Sequence, residues 1–157
     1  MLQDGIKPTY KASNTTTATT IPDIIGEMHV VNTDGGNAHL DLLKVRYYFT
    51  NEGTMPTMQV NWAHLKSPTS QVDTPFTATV VKMPTAKPTA DSYIEFKTSS
   101  TNVLDAGKEA EISFRLYDGL NQPVYLQNND YSFSATATPS DKIVLLYRDA
   151  VIWGVEP

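Results

Sequence analysis

The chain has 157 residues, 40% hydrophobic and 18% charged, with a formal net charge of −5. An acidic surface argues against nucleic acid or an anionic membrane as partner. The absence of cysteine excludes disulfides, thiolate metal sites and cysteine nucleophiles.

No run of about 20 apolar residues is present to cross a bilayer, and no signal peptide is visible. Met1 directly before a strand-like segment reads as the start of an excised module. Residues 1–5 are expected to be a tail and 6–157 a single module, long enough to bury about two thirds of its unfolded surface. Abundant Thr and Ser, with 10 Pro and 8 Gly punctuating short runs, point to an all-β sandwich or barrel.

In chain order, Ile6 to Lys11 reads as a first strand, and Pro8 confines it to a sheet edge. Ala12 to Thr20 reads as a long polar loop; its Asn14-Thr15-Thr16 is a weak match to a glycosylation sequon. Ile24 to Val31 alternates, with Ile24, Gly26, Met28 and Val30 inward against Glu27 and His29. Asn32 to Asn37 is a turn. Leu43 to Phe49 is the clearest strand: Leu43, Val45, Tyr47 and Phe49 face a core, while Arg46 and Tyr48 share the outer face. It runs into a turn at Asn51, Glu52 and Gly53.

Met58 to His64 is the next strand, with Met58, Val60 and Trp62 in phase, so that Trp62 reads either as a core residue or as an exposed ring. Lys66 to Pro75 reads as a loop, Thr77 to Met83 as a strand and Pro84 to Pro88 as a turn. Asp91 to Lys97 places Ile94 and Phe96 inward and Tyr93 and Glu95 outward. After a turn at Asp105-Ala106-Gly107, Glu109 to Tyr117 puts Ala110, Ile112, Phe114 and Leu116 on the core. Glu111, Ser113, Arg115 and Tyr117 take the other face. Asp118 to Gln122 is a loop and Tyr131 to Phe133 a short strand. Lys142 to Tyr147 and Ala150 to Trp153 form a hairpin around Arg148-Asp149, with Trp153 in the core. Nine or ten strands with long crossovers and no helix favour a Greek-key or jelly-roll sandwich.

No hydrolase, zinc-protease or phosphate-loop motif is present. His29, His39 and His64 are scattered in sequence, none at ligand spacing, and read as surface or half-buried residues. Two features carry chemistry. Thr50 and Glu52 from one turn and Asn129 and Asp130 from another offer hard oxygen ligands suited to calcium, or else cap their own turns. The pairs Asn61-Trp62 and Arg115-Tyr117 place an aromatic ring beside hydrogen-bonding groups, the combination that stacks on a sugar ring and holds its hydroxyls.

Five motifs in order resemble the family 3 carbohydrate-binding modules of clostridial cellulosomes, cellulases and biomass-sensing proteins. They are Arg46-Tyr47-Tyr48-Phe49-Thr50, Val81-Lys82-Met83, Ser92-Tyr93-Ile94-Glu95, Asn129-Asp130-Tyr131-Ser132-Phe133 and the closing Val151-Ile152-Trp153-Gly154-Val155-Glu156-Pro157. The resemblance implies a nine-stranded antiparallel jelly-roll β-sandwich, a structural calcium and no catalytic activity. It implies a cellulose-binding strip of Asn61, Trp62 (now expected outside), Arg115 and Tyr117. On the opposite sheet it implies a shallow groove of Arg46, Tyr48, Tyr93, Glu95 and Tyr131, considered a site for linkers or single glycan chains. The calcium ligands carry over to Thr50, Glu52, Leu126, Asn129 and Asp130. Two usual strip aromatics are missing, one after Trp62 and one near Asn121 and Gln122; Glu52 replaces the usual Asp and Leu126 the usual Thr.

The expectation is an extracellular or cell-surface, monomeric module of a larger protein, binding cellulose or a related plant polysaccharide and bringing its attached modules there. The host could be a membrane anti-sigma factor for which it is the sensor. The alternative is an accessory module packed on a glycoside hydrolase domain, with weak or no cellulose affinity.

Overall fold

A computed structural model describes residues 5–33 and 36–157. Residues 1–4, most of the expected tail, and Asp34-Gly35 of the expected 32–37 turn lie outside the described residues. The strands are β1 (Ile6–Ala12), β2 (Asp23–Asn32), β3 (Ala38–His39), β4 (Leu43–Phe49), β5 (Pro56–Lys66), β6 (Gln71–Asp73), β7 (Thr77–Lys87), β8 (Ala90–Lys97), β9 (Val103–Leu104), β10 (Lys108–Asp118), β11 (Ile143–Tyr147) and β12 (Ala150–Trp153). Single 3₁₀ turns occupy Leu40–Leu42 and Gln127–Asn129. Setting aside the three shortest, β3, β6 and β9, nine strands remain among the described residues.

Two five-stranded sheets, β1-β2-β10-β5-β6 and β12-β11-β4-β8-β7, have antiparallel neighbours throughout, and β3 and β9 form a small third ladder. The chain passes repeatedly from one large sheet to the other, the jelly-roll pattern. Pro8 sits on edge strand β1, where a missing N–H costs no ladder bond. Gly107 at φ 88° serves the turn before β10, and Arg148 (φ 52°) and Asp149 (φ 65°) have the sign that a tight two-residue hairpin needs.

The core lies between the sheets and follows the period-two residues. Ile24, Met28, Val30, Ala110, Ile112, Phe114 and Leu116 meet Leu43, Val45, Tyr47, Phe49, Ile94, Phe96, Ile143 and Leu145, all buried. At its centre Tyr10 packs on Tyr47 (ring centroids 4.7 Å apart) and Phe114 on Phe96 (4.9 Å).

Four local expectations are corrected. β7 continues through Pro84 to Lys87, because it is an edge strand and tolerates a residue without an N–H. The stretch from Lys66 to Pro75 contains β6, which pairs with β5. Tyr131–Phe133 is a turn, held by Tyr131 N–H to Thr89 O and Ser132 N–H to Tyr48 O. Tyr48, on the outer face of its sheet, is only 2% exposed: Ala90, Val144, Leu146, Met83, Tyr93 and Tyr131 cover it in a second small core.

Candidate functional site

The face of β2, β10 and β5 turned away from the core carries the strip residues, and one irregularity decides its character. β10 pairs with β5 at Ser113↔Trp62 and then at Phe114↔Val60, so Asn61 is an extra residue, a β-bulge. The alternation therefore restarts. Val60 faces the core, Ala63 and Leu65 are buried in it, and Trp62 and His64 point outward. Periodicity alone leaves Trp62 in phase with the core residue Val60 and open between the two faces; the bulge puts it outside, at 40% exposure. Its indole lies flat on the His64 imidazole, centroids 4.7 Å apart and planes 5° from parallel.

Asn61 bridges the bulge. It accepts from Gln59 Nε2 (3.2 Å) and donates to Ser113 Oγ (3.3 Å). Arg115 lies opposite Gln59 on one side and Ile25 on the other. Its Nε donates to Asp23 Oδ2 (2.6 Å), and its guanidinium sits 4.1 Å over the Tyr117 ring. Asn61, Trp62, Arg115 and Tyr117 thus share one face, but Arg115 already holds a carboxylate and an aromatic face. Asp23, Gln59 and His64 belong to the same surface and were not singled out from sequence. Asp23 and His64 show themselves only through the cross-strand register.

Where β10 ends, Asp118 anchors two loops. Its Oδ1 accepts from the N–H groups of Thr54 (3.0 Å) and Met55 (2.8 Å), and its Oδ2 from that of Leu120 (3.0 Å). These bonds, Met55's first, hold its carboxyl below the usual aspartate pKa. The two loops present exposed Met55 and Leu120, apolar groups near the place where the resemblance leads one to expect a tryptophan.

Beyond Trp62 along the same face, His29, Glu111 and His64 stand opposite one another on β2, β10 and β5. Glu111 is 7% exposed. Its Oε1 meets His64 Nε2 at 2.5 Å and its Oε2 meets His29 Nδ1 at 3.1 Å. The same Nδ1 is 3.3 Å from Glu109 Oε1, and His29 Nε2 is 3.2 Å from Glu27 Oε2. Burial raises the Glu111 carboxyl, but the His64 hydrogen bond and the other contacts outweigh it and leave the pKa lowered.

The five predicted groove residues also assemble, on the opposite sheet. Arg46 Nε bonds Glu95 Oε2 (2.9 Å) and its guanidinium lies 4.4 Å over Tyr93; Tyr48 touches Tyr93 (5.2 Å) and Tyr131 (6.2 Å). Tyr131 Oη donates to Val155 O (2.6 Å), which ties the C-terminal segment to this cluster.

The predicted oxygen ligands converge as well. Asp130 Oδ1 accepts from Thr50 N–H (2.9 Å), Thr50 Oγ1 donates to Asn129 O (3.1 Å), and Glu52 accepts from Leu126 N–H (3.1 Å) and Asn129 Nδ2 (2.8 Å). These bonds join loops far apart in sequence, beyond the local capping that turn residues could do. Asn129 Oδ1 and Asp130 Oδ2 are left buried with no hydrogen-bond partner. Burial, with the charges of Glu52 and Asp91, pushes the Asp130 carboxyl up to about 8. Two orphaned oxygens beside a second carboxylate fit a hard divalent cation.

A partly aromatic outer sheet face on a jelly roll is the geometry of a binding surface. A cleft of about 750 Å³, lined by residues including Asn51, Met58, Val80 and Asp91, has no aromatic in its lining. The family described as "Cellulose binding domain" matches residues 8–154, and the chain belongs to this family of family 3 carbohydrate-binding modules. A relative, "Anti-sigma-I factor RsgI2" of Acetivibrio thermocellus, is 32% identical over 145 residues, 82% of this chain; the match takes in only 21% of that protein's length. Among solved structures, a CBM3a domain with flanking linkers from scaffoldin cipA of the Clostridium thermocellum cellulosome superposes with a TM-score of 0.89 at 26% identity, covering 100% of this chain and 94% of that one. A biomass-sensing module from the putative Rsgi2 protein of Clostridium thermocellum gives 0.79 at 28% identity, covering 97% and 98%.

Proposed function

We propose that the chain is a non-catalytic module that adsorbs to the flat surface of cellulose through Trp62, Asn61, Arg115 and Tyr117. The outer indole face stacks on the C–H face of a glucose ring. Asn61, Gln59 and the Arg115–Asp23 pair offer donors and acceptors to the hydroxyls around it. The observation that carries this reading is the Asn61 bulge, which turns Trp62 outward onto His64. The likeness to RsgI2 supports a sensing role for the module within a larger extracellular or cell-surface protein, where adsorption raises the local concentration of attached modules. A calcium ion held by Thr50, Glu52, Leu126, Asn129 and Asp130 would supply positive charge between the two loops and keep the end of the sandwich in one shape.

The test is adsorption to microcrystalline cellulose, amorphous cellulose and xylan side by side. Trp62→Ala is expected to weaken binding at least about tenfold, or about 1.4 kcal/mol. Unchanged adsorption of this variant would remove the strip from the proposal. The engagement of Arg115 by Asp23 and Tyr117 favours a second reading, an accessory module beside a glycoside hydrolase with weak cellulose affinity. Adsorption of the isolated chain to none of the three polysaccharides would select that reading.

A further inference from the structure

We propose that His29, Glu109 and Glu111 form a binding site for a divalent transition metal of the zinc class, on the outer face of the β2-β10-β5 sheet. One nitrogen or oxygen from each lies within 4.8 Å of the others, a group that a single ion can draw together. The donor set of one imidazole nitrogen and two carboxylates selects zinc-class ions over calcium, which takes oxygen ligands. Three protein ligands leave at least one position for water, and the side chains of His29 and Glu109, 25% and 28% exposed, leave the way in open.

The imidazole's own bonding points to a cation here. Glu27 faces Nε2 of His29, and Glu109 and Glu111 face its Nδ1. A neutral ring carries one N–H, so whichever nitrogen holds it, the other turns a lone pair toward carboxylate oxygen. A divalent ion between Nδ1 and the two carboxylates would replace that repulsion with three bonds. Lys66, opposite Glu109 in register, supplies the other nearby positive charge, and Glu111 has the His64 contact on its far oxygen. Glu27 on Nε2 and His64 on Oε1 are then the outer partners that orient the two ligands.

The ion would tie β2 to β10 directly and reach β5 through His64, the residue under the Trp62 indole. The metal site thus stands on its own and does not depend on cellulose binding.

The test is a calorimetric titration of the whole chain, saturated with calcium, with zinc sulfate at neutral pH, alongside thermal melts. The expected result is one zinc per chain and a rise in Tm. His29→Gln and Glu109→Gln should each weaken zinc binding about 10- to 100-fold while keeping the circular dichroism of the parent. Because no polysaccharide is present, failure here leaves the adsorption reading untouched. No zinc binding by the parent chain would overturn the proposal and leave the cluster as hydrogen-bonded side chains only. Equal binding by the parent and both variants would overturn it too.

Discussion

An indole lying flat on an imidazole has only one face left for anything else. His64 covers the inner face of Trp62 and is itself held by Glu111, so the ring is fixed before any ligand arrives. Fixing it beforehand lowers the ordering cost of binding. His64→Ala is therefore expected to weaken adsorption to cellulose by about 0.5–1.5 kcal/mol, the scale of an aromatic pair, less than Trp62→Ala does. An adsorption isotherm unchanged by His64→Ala would show that the imidazole gives the indole no support. At this scale the sequence was partly legible. The sequence marks Asn61, Trp62, Arg115 and Tyr117, which the fold brings to one face, but nothing near Arg115 in sequence discloses Asp23, 92 residues away. The three histidines looked unrelated for the same reason: their relation runs across strands, not along the chain.

Elements were more legible than contacts, and the exceptions are instructive. β4, β8 and β10 keep a period of two in their core residues because each turns one face to the opposite sheet, although Tyr48, Glu111 and Ser113 on the outer faces are buried too. β5 breaks the rule at Asn61, and a bulge leaves no mark on the hydrophobic pattern beyond a phase slip that leaves Trp62 open between the two faces. β7 runs past the expected stop at Pro84 because edge strands tolerate proline, and ends just before Pro88. Within β2, where it packs against Tyr10 of β1, Gly26 is needed rather than tolerated. A Cβ on Gly26 would lie 2.4 Å from Tyr10 Cε1 and 2.5 Å from its hydroxyl oxygen. Gly26→Ala should force the Tyr10 ring off Tyr47 and Phe114 and cost about 1–3 kcal/mol, as overpacking does. Thermal melting measures it, and a Tyr10→Leu background should recover much of the loss by making room. If Gly26→Ala melts with the parent, the ring is not held as described.

For the whole molecule, the two loop ends that meet at Asp130 make metal-free stability depend on pH, and the proposed calcium ion would couple to the same group. Without metal, folding raises the Asp130 carboxyl to about 8, whereas in the unfolded chain it keeps an ordinary value of about 3.9. Between those values the folded state keeps a proton that the unfolded state has lost. Asp130 therefore makes the metal-free fold progressively less stable as pH rises from about 4 to about 8, with the penalty complete above that. Calcium at this site would take the place of the proton, so below about 8 its binding must release one, and its affinity should fall by up to about tenfold per pH unit. At a concentration 100 times its Kd calcium would add about 2.7 kcal/mol, or a Tm rise of about 5–10 °C for a chain of this size. That rise should be larger at pH 9 than at pH 6 for a fixed calcium concentration. Asp130→Asn, which keeps the shape of the protonated acid, should abolish both the calcium effect and the metal-free slope. Melts with calcium and with chelator at the two pH values decide it: a calcium shift that survives Asp130→Asn, or one that is greater at pH 6, would place the ion elsewhere.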